Sequence, residues 1–158
     1  MMSRHEDFMR EAIELAREKM LAGHGGPFGA IIVRNTEIIG RGWNQVTSAN
    51  DPTAHAEVMA IRDACSRIQD FSLASGTIYC SCEPCPMCLG AIYWSRLDSI
   101  FFAGNSADAA DAGFDDRHIY EELNLPPQTR SRPMQQLLQA DAQAVFAQWK
   151  LKEDRIDY

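Results

Sequence analysis

Two short, well-separated words hold the donors that a hydrolytic metal site needs: His55-Ala56-Glu57 and Pro84-Cys85-Pro86-Met87-Cys88. His55, Cys85 and Cys88 supply one borderline and two soft ligands, and Glu57 adds a carboxylate that the metal does not require. A structural zinc is usually closed by four protein ligands, whereas a catalytic zinc keeps one position for water and brings the pKa of that water down to about 7. Three ligands beside a spare carboxylate therefore read as an enzyme, with Glu57 as the proton carrier.

The elements that must position these groups can be read locally. Asp51-Pro52 offers a helix cap followed by proline at the first helical position, and Val58, Ile61, Cys65 and Ile68 recur at helical spacing, which places His55 in the first turn of a helix with a buried stripe. Residues 77–82 read as a strand. A second helix begins at Cys85 and runs towards Trp94; its two cysteines are three apart, on one side of the first turn, and Pro84 and Pro86 fit only near a helix start. The metal then sits between two helix N-termini, whose positive ends favour thiolates. Cys80 and Cys82 lie close enough to offer a four-cysteine structural site instead. Their extended apolar surroundings read as ordinary core, and that alternative leaves His55 and Glu57 unexplained.

Length and composition set the frame. The 158 residues fit a single domain spanning 1–158, large enough to bury about 70% of its unfolded surface. Five cysteines, an odd number without signal-peptide character ahead of them, suit a reducing compartment, and no stretch approaches membrane-spanning length, so the expectation is a soluble cytoplasmic protein. The net charge of −7 argues against a phosphate-tracking surface; Arg130-x-Arg132 and Lys150-x-Lys152 are short solvated groupings, and a small uncharged substrate fits better than nucleic acid. Ser3-x-x-Glu6 reads as a capping box opening a helix whose apolar face is Phe8, Met9, Ala12, Ile13, Ala16 and Met20, stopped by Gly23. Residues 28–33 and 38–43 are expected as strands about a turn at Asn35-Thr36, and 99–103 as a later strand. A hairpin followed by strand–helix alternation implies a mixed sheet with helices on both faces. After Asp116 come a proline-rich connection over 125–133 and one or two helices within 134–151. Cys65 is expected in the core, and His5, His24 and His118 at the surface or in loops.

At the two zinc words the chain resembles the cytidine deaminase superfamily. Longer stretches narrow this to the bacterial guanine deaminase family: Gly25-Gly26-Pro27-Phe28-Gly29-Ala30, Asn50-Asp51-Pro52-Thr53-Ala54-His55-Ala56-Glu57, the run from Ser81 through Pro84-Cys85-Pro86-Met87-Cys88 to Trp94, and Ala112-Gly113-Phe114-Asp115-Asp116. The resemblance implies a three-layer α/β/α sandwich around a mixed five-stranded sheet, one Zn2+ per subunit, and hydrolysis of guanine to xanthine and ammonia. It also implies that Asn44 and the backbone N–H of Ala56 meet the purine edge, and that an aspartate at Asp116 and a carboxyl-terminal Tyr158 complete the site. The tail, about 150–158, is then exchanged with the partner subunit of a homodimer. Phe28 and Trp94 are candidate flat walls, against simple core packing; a turn amide is the rival for Asn44 and a helix cap for Asp115-Asp116. Guanosine, another amino-purine or a triazine amine stays open as substrate. A non-catalytic zinc-binding module is the distant alternative, against which Glu57 argues, since a structural site has no use for it.

Overall fold

The computed structural model describes residues 4–158; Ser3, and with it the expected capping box, lies outside the described residues. The chain divides into two compact units, Met1–Arg117 and His118–Tyr158. The first runs α1 (Arg4–Leu21), β1 (Gly29–Arg34), β2 (Glu37–Trp43), α2 (Val46–Ala49), α3 (Ala56–Ile68), β3 (Thr77–Cys82), α4 (Pro86–Trp94), β4 (Ser99–Gly104) and α5 (Ser106–Asp111). The second holds most of α6 (Arg117–Asn124), a 3-10 turn at Pro127–Thr129, and α7 (Gln139–Leu151).

The sheet order is β2-β1-β3-β4. β1 pairs antiparallel with β2 and β3, and β3 pairs parallel with β4, so the sheet is mixed as expected. A parallel pair needs a crossover, and α4 is that crossover. The β1–β2 hairpin closes through Asn35 and Thr36, both at positive φ (51° and 72°), as a tight two-residue turn demands. Alternation along β1 and β3 divides the core between the two faces. Ala30, Ile32, Ile78 and Cys80 pack with Ala56, Ala60 and Ala64 of α3 and Ile92 of α4, while Ile31, Val33 and Tyr79 pack with Ala12 of α1. Helices therefore cover both faces of the sheet within the first unit.

Four strands are found among the described residues, one fewer than expected. No alternating run follows Gly104: 106–111 close into the short α5, and beyond Arg117 the chain is spent on α6, a proline-bounded turn and the alanine-rich α7. Helix α3 also differs in its start and its buried face. Asp51 accepts hydrogen bonds from the backbone N–H and the hydroxyl of Thr53 (2.8 and 2.7 Å), which closes a turn ahead of the helix, so that His55 is the N-cap rather than a first-turn residue. The buried stripe is Ala56, Glu57, Ala60 and Ala64, with Ile61, Cys65 and Ile68 only partly buried beside it.

The reason for alanine there lies on the facing strand. A Cβ at Gly42 would lie 2.1 Å from the carbonyl oxygen of Ala56 and 2.2 Å from the nitrogen of Ala60, and one at Gly40 would lie 2.6 Å from the carbonyl oxygen of Ala60. β2 and α3 thus meet backbone to backbone, which fixes the height of the helix that opens at His55. Helix α1 ends at Gly23 (φ 77°), whose N–H donates to Met20 O while that of His24 reaches Lys19 O, the stop expected there. His5, expected at the surface, is exposed yet bonds through Nδ1 to Tyr79 Oη at 2.7 Å and stacks on Phe101.

Candidate active site

Strand β3 ends at Cys82, and a two-residue connection, Glu83-Pro84, delivers Cys85 as the N-cap of α4 with Pro86 at the first helical position. Cys88 follows inside the first turn and is buried. His55 arrives as the N-cap of α3. Two helix N-termini thus bring three donor atoms together, all within 4.8 Å of one another, and no other such cluster of metal-binding side chains occurs among the described residues. Cys80 and Cys82 are not part of it: Cys80 is core and the Cys82 thiol donates to Asn105 O at 3.7 Å.

The spacing fits zinc. His55 Nδ1 lies 3.5 Å from the sulfur of Cys85 and 3.5 Å from that of Cys88. A tetrahedral ion with ordinary Zn–N and Zn–S bond lengths requires about 3.6 Å between a nitrogen and a sulfur donor. Both nitrogen–sulfur separations therefore match a zinc site. Charge supports this. Cys85 is held as the thiolate, its pKa down to about 4, mainly because the Cys88 side chain donates to it, with a further contribution from His55 and against the cost of burial. As the proton donor of the pair, Cys88 is pushed up. His55 is raised by its hydrogen bond with Cys85, opposed by burial. A metal arriving here displaces these protons.

Glu57 occupies the first turn of α3, 8% exposed, within electrostatic reach of Cys85 and His55. Burial is the largest influence on its carboxyl and raises its pKa, while a hydrogen bond from its own backbone N–H works the other way. A buried carboxylate beside a donor set, and not a member of it, is suited to carry protons.

Asn44 follows β2 and is also 8% exposed. Its Oδ1 accepts from Gly26 N–H and Val46 N–H, each at 3.2 Å, and its own N–H donates to Phe28 O at 3.0 Å. Those bonds set the orientation of the carboxamide, leaving the NH2 as the end able to donate elsewhere. Gly25 permits the approach, since a Cβ there would fall 1.9 Å from the Asn44 carbonyl oxygen. Ala56 is the first residue of α3, so its N–H has no acceptor within the helix. Phe28 is half-buried and meets the edge of Phe114 at 4.9 Å and 84°. Asp116 is half-buried and its pKa is raised by burial first and then by the charge on Cys85, so it stands within electrostatic reach of the donors.

The remaining expected residues lie elsewhere on the chain. Trp94 ends α4 and is 70% exposed; six residues past Cys88, it sits about 9 Å further along the helix axis. It is not core packing in this chain. Asp115, rather than Asp116, makes the local turn: its carboxylate accepts from Arg117 N–H at 3.0 Å and pairs with the Arg117 guanidinium at 2.6 Å. Tyr158 is exposed at the end of the second unit. Residue type and spacing alone mark no role for Gly40 and Gly42, for Phe114 or for Glu83. Two glycines at period two facing an alanine stripe at period four could have signalled the close strand–helix seam.

Residues 2–104 match the cytidine and deoxycytidylate deaminase zinc-binding region. The chain is 48% identical to a guanine deaminase of Bacillus subtilis (strain 168) over 154 residues, 98% of this chain and 99% of that one. It is similar to the crystal structure of guanine deaminase from Bacillus subtilis with a TM-score of 0.95, covering 99% of each chain at 48% identity. A tRNA-specific adenosine deaminase of Haemophilus influenzae is 34% identical over 96% of this chain and 88% of its own length. Related structures at 32% identity and a TM-score of 0.67, covering 71% of this chain and 62 to 64% of theirs, hold 2,6-diaminopurine and 8-azaguanine. With the zinc words inside the matched region and the likeness running nearly end to end, this chain belongs to the cytidine and deoxycytidylate deaminase family.

Proposed function

We propose that the chain is a zinc-dependent aminohydrolase that converts guanine and water to xanthine and ammonia. The observation that carries the chemistry is the three-donor set with a buried carboxylate beside it that is not one of the donors. The near full-length likeness to a guanine deaminase carries the substrate. His55, Cys85 and Cys88 would hold the zinc, which when bound polarises a water and lowers its pKa to about 7. Glu57 accepts the proton released as water adds to the amino-bearing carbon and passes it to a ring nitrogen. It then takes the remaining proton of the added hydroxyl, which becomes the carbonyl of xanthine, and delivers it to the departing amine as the carbon–nitrogen bond breaks, so one carboxylate serves as base and then as acid.

The Asn44 NH2 and the Ala56 N–H donate to acceptors on the purine, and Asp116 accepts from its N–H groups. Phe28, supported by Phe114, supplies one flat wall, with Trp94 as the other candidate. The whole chain acts as one deaminase domain in a cytoplasmic homodimer, with Tyr158 on an exchanged tail closing a partner's site. No described helix is long and apolar enough to cross a membrane. The acidity of the chain, with 22 acidic and 15 basic side chains, weighs against a transfer RNA substrate.

The test is ammonia release from zinc-loaded protein offered guanine, guanosine, adenine, cytosine and cytidine in parallel, with zinc assayed on the same sample. Release from guanine alone is expected. Faster release from guanosine would replace the free-base reading, and no release with one zinc bound would replace the enzyme reading.

A further inference from the structure

Glu83 stands immediately before the ligand turn yet takes no part in the donor set. Its backbone N–H donates to Gly104 O at 2.8 Å, prolonging the β3–β4 pairing by one step. Its carboxylate crosses the chain to accept from the N–H of Ser106, the first residue of α5, at 3.0 Å. That helix already has a complete cap of its own: Asn105 Oδ1 accepts from Asp108 N–H at 3.0 Å, and Asp108 Oδ2 accepts from Asn105 N–H at 2.8 Å. The bond from Glu83 is therefore an added long-range tie, seconded by the Cys82 thiol on Asn105 O.

The far end of α5 is capped as well. Gly113 sits at φ 95°, its N–H donates to Ala110 O at 3.0 Å, and that of Phe114 donates to Ala109 O at 2.9 Å, the paired bonds of a left-handed helix stop. Phe114 leaves this stop against Phe28, and Asp116 follows two residues later. Short, capped at both ends and bonded to the ligand turn, α5 is a strut between Glu83 and the loop that carries Phe114 and Asp116.

We propose that Glu83 is a positioning residue for the purine: through Ser106 and the α5 strut it sets Phe114 and Asp116 at a fixed distance from the metal ligands. This rests on the guanine deaminase reading. Glu83 touches no reacting atom; it determines where the residues contacting substrate stand.

The experiment pairs Glu83→Ala with Ser106→Pro, which deletes the donor from the opposite side. Proline is accepted at a first helical position, and Asn105 already has the extended backbone that a following proline requires (φ −97°, ψ 176°). Each variant is assayed for zinc content, KM and kcat on guanine, and Kd for 8-azaguanine. We expect one zinc retained, KM and Kd each raised about tenfold, as for loss of a hydrogen bond to a charged group, and a smaller change in kcat. Glu83→Gln, whose amide oxygen can still accept, recovers most of the affinity. In a Phe114→Ala/Asp116→Ala background, Glu83→Ala should add little, because the strut then carries neither side chain. Unchanged KM and Kd in both variants, or an effect of Glu83→Ala that is undiminished in the Phe114→Ala/Asp116→Ala background, overturn the proposal. So does loss of zinc, which would place Glu83 in service of the ligand turn itself. Wild-type protein inert on guanine overturns the function reading instead, and 8-azaguanine affinity still reports on the strut.

Discussion

Gly42→Ala tests whether the backbone seam between β2 and α3 sets the site. The added Cβ would fall 2.1 Å from the Ala56 carbonyl oxygen and 2.2 Å from the Ala60 nitrogen, both backbone atoms that no rotamer change can move. Restoring an acceptable carbon–oxygen separation requires the start of α3 to retreat by about 1 Å. Overpacking of this kind costs about 1–3 kcal/mol, and for a chain of this size the melting temperature should fall by about 2–12 °C. The same retreat carries His55 and Glu57 away from Cys85 and Cys88. A displacement near 1 Å lowers kcat/KM by about a hundredfold even when the substituted residue touches no substrate. Calorimetry, ammonia release and zinc content on one preparation read all three effects. Gly90→Ala is the control: it lies inside α4, nothing stands within 4 Å of its would-be Cβ, and the added methyl should stabilise by about 0.4–1 kcal/mol. A Gly42→Ala protein that melts within about 1 °C of wild type and retains its kcat/KM would refute the seam argument.

Further predictions concern the groups that meet substrate. Glu57→Gln should keep zinc bound and lower kcat by about 10²–10⁴-fold, the usual worth of a positioned proton carrier; retained turnover would remove Glu57 from that role. Gly25→Ala, whose Cβ meets the Asn44 carbonyl oxygen at 1.9 Å, should raise KM with zinc intact. Gly26→Ala, with its nearest neighbour at 3.5 Å, should leave KM near wild type, and equal behaviour of the two would show that Asn44 is not held by this turn. Deleting residues 156–158 should reduce turnover at constant zinc content, whereas full activity would leave Tyr158 without a role.

The chemistry of the site was legible in the sequence because it is written in residue types at short spacing. A histidine, two cysteines three apart and a spare carboxylate have few other joint uses, and prolines around Cys85 mark a helix start wherever the chain folds. The mixed sheet with helices on both faces was legible for a similar reason, since period-two and period-four patterns report local geometry. What tertiary structure decided is distance. His55 turned out to be a cap rather than a first-turn residue because Asp51 spends its carboxylate on Thr53, and the buried face of α3 fell on alanines because Gly40 and Gly42 bring a strand against its backbone. Glu83 could not be distinguished from any other acidic residue until β4 brought Ser106 beside it. The count of four strands, likewise, depended on where the chain after Gly104 went, and no residue pattern within those strands contains that information. Local patterns encode what each segment can form, whereas the separation between segments is set by which small residues allow two backbones to touch, and that is a property of pairs far apart in the chain.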